Sequence, residues 1–178
     1  MSVRTKTVSE SRVRIAVVIE PTDANFLGKA FGAAILAKID ICAYATASKY
    51  AGGIAVTASF DRVDFHEPIE VGELVEMEGL ITYVGRTSME VTIEIYATNL
   101  MEGTRRHTNT ARVTMVYLKD GKPAEVPRLV CENREEKLRF LEGKMRRDRR
   151  VRHRAEFEEI KQDLSRMSDA ELDALIGA

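Results

Sequence analysis

The chain has 178 residues, 44% of them hydrophobic and 31% charged, with a formal net charge of −1 at pH 7. That length suits one domain with a sizeable core plus an extension, and the near-neutral charge excludes a whole-molecule attraction to nucleic acid or to an anionic membrane. No apolar run reaches the roughly 18–20 residues of a membrane span, and MSVRTKTVSESRVR at the start holds no signal-peptide core.

Residues 12–19, RVRIAVVI, alternate polar and β-branched side chains and predict a strand. Pro21, Asp23 and Asn25 then mark a loop. A helix is expected from about Gly28 to Lys49, apolar on nearly every side and rich in alanine, hence buried. From Ile54 the period becomes two. Strands are expected over 54–65 (with a kink), 74–85, 88–99 and 108–119, separated by the turn 66–73, the hairpin Gly85-Arg86-Thr87 and the polar connection Met101–His107. One helix followed by four antiparallel strands predicts an α+β fold, with the helix on one face of the sheet and subunits pairing.

Pro123 and Pro127 mark a boundary, giving a domain over 10–127 and a charged helical extension over 128–178. Residues 1–127 hold 14 Lys/Arg against 16 Asp/Glu; residues 128–154 hold 11 against 5, and residues 155–178 hold 2 against 7. Asn133/Glu136 and Ser168/Glu171 have capping-box spacing. Leu138, Leu141 and Met145, then Phe157, Ile160, Leu164 and Met167, form apolar stripes on two or three expected helices. The basic run KMRRDRRVRHR (144–154) lacks interleaved aromatics and precedes an acidic stretch, so it reads as a solvated or self-paired helix rather than a nucleic-acid surface.

One carboxylate stands out. Asp40 sits far inside the apolar helix, beside Ile39, Ile41 and Cys42. Burying a lone carboxylate is costly and favours its protonated form, the setting of a general base. Gly32 precedes it by eight residues, near the helix start, where unpaired N–H groups and the helix dipole stabilise an oxyanion. Eight residues at about 1.5 Å each separate the two by roughly 12 Å, too far to reach one carbonyl carbon from a single helix. Two antiparallel subunits would bring one helix start to the other's Asp40, so the site is expected to be shared in a dimer.

The segments PTDANFLGKAFGAAILAKID (21–40), VTASFDRVDFHEPIEVGELV (56–75) and VGRTSMEVTIEIYA (84–97) resemble the hotdog-fold acyl-CoA thioesterases of the bacterial acyl-CoA hydrolase type, over about residues 10–127. The resemblance implies a hotdog fold, a long central helix wrapped by an antiparallel sheet, and a homodimer as minimal unit that assembles into a hexamer, a trimer of dimers. It also implies roles: Asp40 as general base or nucleophile, Asn25 working with the partner subunit's aspartate, and Gly32 at the oxyanion site. Ala33 stands where a second glycine is usual. Cys42 and Ala43 stand where small residues are common and bear on the acyl pocket.

Thr57, on a strand facing the helix or its partner, is a candidate substrate contact, as are Arg86, Thr87 and Ser88, which offer a guanidinium and amides to phosphate. Arg105, Arg106 and His107 read as a solvated loop, and His66 as a turn residue. Three scattered histidines and the unclustered Cys42 and Cys131 argue against a metal site. Disulfides do not suit so long a chain, so a thiol-reducing cytoplasm is expected. The expected activity is cofactor-free hydrolysis of acyl-CoA to a free acid and CoA. The competing reading is a non-catalytic acyl-CoA sensor, which would need no base; the hydratase branch of the fold would want a histidine paired with an acid near the helix.

Overall fold

The structure, a computed structural model, describes residues 4–61, 63 and 67–177. The elements in chain order are β1 (Thr5–Thr7), α1 (Val8–Ser11), β2 (Val13–Val18), α2 (Gly32–Ala51), β3 (Ala55–Phe60), β4 (Leu74–Val84), β5 (Ser88–Asn99), β6 (Thr104–Lys119), β7 (Lys122–Pro123), β8 (Arg128–Val130), α3 (Arg134–Arg166) and α4 (Asp169–Ile176). The main sheet runs β2-β4-β5-β6-β3 with antiparallel neighbours, β7 pairs with β6, and β1 pairs in parallel with β8. One long helix on a curled antiparallel sheet is the hotdog arrangement that the sequence resemblance implies.

The core forms where α2 meets the sheet. Ile35, Ile39, Cys42, Ala43, Ala47 and Tyr50 line one face of the helix and are fully buried against Val75, Met77, Ile81, Val91, Ile93 and Val113. The alanines and the cysteine let the helix sit close to the strands. Burial pushes the Cys42 thiol up to about 11, so it behaves as a small apolar group. Gly79 on β4 faces the same helix, where an added Cβ would lie 2.3 Å from Thr46 Oγ1 and 3.2 Å from Cys42 Sγ. The Tyr50 hydroxyl ends in a 3.1 Å hydrogen bond to the Pro127 carbonyl, and Gly52 closes α2 in the left-handed conformation at φ 77°.

Several boundaries differ from the sequence expectation. Helix α2 starts at Gly32 rather than near Gly28, because Gly28 takes φ 71° and residues 24–30 close on themselves through an Ala24–Ala30 bridge. Its burial is one-sided: Phe31, Ile41 and Tyr44 remain 48–59% exposed, since the sheet covers only one face. Strand β6 begins at Thr104, not Thr108, because Thr104–His107 pair with Tyr96–Asn99 beyond a bulge. His66 and the end of the strand expected over 54–65 lie partly outside the described residues.

Two compact units divide at Phe140/Leu141, and the β1–β8 pair lies within the first. The first unit therefore includes residues through Phe140. The second, from Leu141, consists of the remainder of α3 and of α4, whose capping box joins Ser168 and Glu171 as expected.

Gly79→Ala should cost about 1–3 kcal/mol by crowding Thr46 and Cys42, read as a melting temperature several degrees lower.

Candidate active site

Asp40 lies on α2 at the edge of its open side. Ala33, Ala37, Ile41 and Tyr44 recur there at helical spacing and are exposed, while Asp40 itself is half-buried. The sequence expectation of a buried carboxylate is therefore met only in part.

A second side chain reaches the carboxylate from β3. The Thr57 hydroxyl donates to Asp40 Oδ1 at 2.5 Å and lies 3.5 Å from Met115 Sδ. It orients the carboxylate through Oδ1 and leaves Oδ2 for other work. Thr57 is paired with Met115 on β6, and the register of β3 shifts directly after it, between Thr57 and Ser59. β3 is an edge strand, and Val56, Thr57 and Ala58 are exposed along it.

The loop before α2 is built around Asn25. Its Oδ1 accepts from the N–H groups of Leu27 (2.9 Å) and Lys29 (3.1 Å), its own N–H bonds the Lys29 carbonyl, and its carbonyl accepts from Gly28. The turn leaves Phe26 and Leu27 fully or largely exposed, at 108% and 82%. No side chain caps α2, and its first turn holds no acid. The N–H groups of Ala34 and Ile35 bond the Phe31 carbonyl, while those of Gly32 and Ala33 find no protein acceptor among the described residues. An uncapped helix start beside small residues is a donor site for developing negative charge.

Two ionic struts, absent from the sequence reading, hold this loop. From α2, Lys38 Nζ donates to Asp23 Oδ1 at 2.8 Å, with both side chains about one-fifth exposed. The Asp23 carbonyl accepts from Phe31 N–H, and its second carboxylate oxygen accepts from Glu20 N–H. Lys38 holds the Asp23 carboxyl below the usual carboxylate range. From β6, Arg106 grips both carboxylate oxygens of Glu73 at 2.6 and 2.7 Å and bonds the Pro68 carbonyl, which lowers the Glu73 pKa. Glu70 then pairs with Lys29, and Ala30 N–H bonds the Ile69 carbonyl, so the clamped 67–73 turn holds the Asn25 loop. A lysine half a turn before the key aspartate was the available signal for the first strut.

Not all expected residues meet. Asp40 and Thr57 touch; Gly32 and Ala33 open α2, and Asn25 lies in the turn that precedes it. Arg86, Thr87 and Ser88 lie in the β4–β5 hairpin, across β6 from β3, where the Arg86 and Thr87 carbonyls accept from Val126 and Tyr117. Arg105 and His107 belong to a strand rather than a loop; they pair with Glu76 and Glu94, and Arg105 lies 3.7 Å over the Tyr96 ring. No cluster of three metal-ligating side chains occurs among the described residues, and no helix there is long and apolar enough to cross a membrane.

Comparison with known proteins matches residues 27–104 to the thioesterase superfamily model. The uncharacterized acyl-CoA thioester hydrolase YkhA of Bacillus subtilis is 38% identical over 74% of this chain and 77% of its own length. An asparagine-to-alanine mutant of a Staphylococcus aureus acyl-CoA hydrolase, solved in complex with coenzyme A, superposes with a TM-score of 0.83 at 32% identity, covering 93% of this chain and all of that one. Aspartate-to-alanine and threonine-to-alanine mutants of that hydrolase match at TM-scores of 0.80 and 0.77. An apo-hexameric acyl-CoA thioesterase gives 0.82 at 38% identity, over 86% of this chain and 99% of that one.

Because the folded pKa of Asp23 is depressed, its pairing with Lys38 stabilises the fold above the ordinary carboxylate pKa of about 3.9 and loses that effect as pH falls through the lower folded value. Asp23→Asn should thus melt earlier than wild type between pH 5 and 7, by about 1 kcal/mol. The gap should close below about pH 4, as thermal melts across pH would show.

Proposed function

This chain belongs to the thioesterase superfamily, and from that premise we propose that it hydrolyses acyl-CoA thioesters to a free acid and CoA. The observation that carries the proposal is the Thr57–Asp40 hydrogen bond at the border of an open apolar helix face. It presents an oriented carboxylate where an acyl chain would find greasy walls. Further support comes from the staphylococcal hydrolase. Its mutated asparagine, aspartate and threonine are spaced 15 and 17 residues apart, as are Asn25, Asp40 and Thr57 here (40 − 25 = 15; 57 − 40 = 17).

In this reading Asp40 takes a proton from water as the water oxygen bonds the thioester carbonyl carbon. The carbonyl oxygen becomes an oxyanion, held by the Gly32 and Ala33 N–H groups at the helix start of a second subunit, with Asn25 beside them. The C–S bond then breaks and the sulfur leaves as CoA thiolate, which takes up a proton. Attack by Asp40 itself, through an anhydride that water then cleaves, uses the same atoms. Thr57 is a positioning residue that fixes which carboxylate oxygen faces the substrate. The thiolate is a good leaving group, so the scheme draws on no cofactor.

A shared site requires a homodimer, and we propose the hexamer as its further assembly. The exposed Phe31, Ile41 and Tyr44 and the open β3 edge support the pairing. Arg86, Thr87 and Ser88 are offered as contacts to CoA phosphate, and the paired state of Arg105 and Arg106 argues against their sharing that task. A cytoplasmic location fits two free cysteines. A non-catalytic sensor would leave Asp40 and its threonine without a task.

Asp40→Ala should lower kcat for thiol release from acyl-CoA by at least about 10²-fold. Thr57→Val, which keeps the shape and removes the donor, should lower kcat with KM nearly unchanged. A wild-type kcat in folded Asp40→Ala protein would return Asp40 to a structural role.

A further inference from the structure

The charged tail contributes no residue to the site proposed above, yet it carries a patterned surface. Phe157, Ile160, Leu164 and Met167 recur at spacings of three and four along the C-terminal part of α3 and just beyond it, and stand 38–57% exposed. The same stripe continues toward the N-terminus at the same spacing as Arg146, Arg150 and His153, and the His153 ring stacks on Phe157 at 6.4 Å. The helix face is therefore apolar at one end and cationic at the other. Charge follows the same division: residues 128–154 carry a formal +6 (11 minus 5) and residues 155–178 a formal −5 (2 minus 7).

We propose that this face is a self-association surface on which the α3 helices of two copies of the chain pair antiparallel. Within α3 a parallel pair would set residues 134–154 (10 Lys/Arg against 4 Asp/Glu) beside their own copy, whereas an antiparallel pair sets that basic half against residues 155–166 (2 against 4). The arrangement that best overlaps the two halves has its twofold near residue 155. There the apolar half of one stripe lies along the arginine and histidine half of the other. Arginine stems cover apolar surface while their guanidinium groups stay in water, so Phe157, Ile160 and Leu164 can be covered without burying a charge. Beside the seam, Arg149 of one copy comes opposite Asp163 of the other. The seven-residue repeat is the spacing by which paired helices keep one seam in contact. The proposal does not depend on the thioesterase reading.

Directed cross-linking tests it in the full chain. In a Cys131→Ser background the remaining Cys42 is fully buried and stays unreactive. Chains carrying Arg149→Cys or Asp163→Cys are made separately and also co-expressed, then treated with a short flexible bis-maleimide. Antiparallel pairing predicts a covalent dimer in the co-expressed sample and its loss when either chain is made alone. It also predicts loss of the dimer when Phe157→Asp and Ile160→Asp are added to the co-expressed pair. Dimers from each variant alone would mean parallel pairing and overturn the proposal. So would the absence of a dimer in folded, co-expressed protein, which would mean that the face stays bare or rests on the chain's own first unit. A co-expressed dimer that survives the two aspartates would show that the apolar stripe does not make the contact.

Discussion

A single sheet can cover only one side of the helix laid on it, and the structure follows from that constraint. Ile35, Ile39, Cys42, Ala47 and Tyr50 use the covered side to make the core. The other side keeps Phe31, Ile41 and Tyr44 in water, at a cost in free energy unless another surface meets them. Asp40 stands at the border between the two sides, where its backbone is part of the helix and the open face leaves its carboxylate partly accessible. The chemistry proposed for it needs both conditions.

The rest of the site is arranged to keep that border defined. β3 approaches the helix from the sheet edge and places the Thr57 hydroxyl on the carboxylate. The Asn25 loop, which would otherwise be a mobile connection rich in turn residues, is tied at two points by charge: Asp23 to Lys38 on the helix, and Lys29 through Glu70 and Glu73 to Arg106 on the sheet. Lys38 and Asp40 share one helix, so the strut anchors the same element that carries the Asp40 carboxylate. The Glu73 side chain is only 6% exposed, and removing Arg106 would leave it a buried charge without its bidentate partner. Precise placement of donors is what a transition-state site requires.

The sequence made much of this legible because the informative signals are local. Asp40 was visible as an acid in an apolar helix, and the four strands were visible from their period of two. Thr57 was visible as a candidate substrate contact, but its bond to Asp40 was not, since it spans 17 residues and joins a strand to the helix. The helix start was misplaced by one turn because Gly28 and the Asn25 side chain build a closed turn where alanine-like periodicity suggested helix. The Arg105–His107 stretch looked like a solvated loop because its polar residues face a polar sheet surface, where strand pairing leaves no apolar alternation to read. A capping box at Thr7 and Glu10, which makes the short α1, was present in the letters and passed over.

In the proposed site, one catalytic centre draws its base from one subunit and its oxyanion donors from another. Subunit complementation tests it most directly. Asn25→Ala and Asp40→Ala chains, each inactive alone, are mixed under conditions where subunit exchange is verified with tagged copies, and thiol release from acyl-CoA is followed. Activity should return in the mixed oligomer, because a hybrid dimer holds one site with both groups intact. Verified exchange with no return of activity would place Asn25 and Asp40 in the same subunit's site and rule out a shared centre.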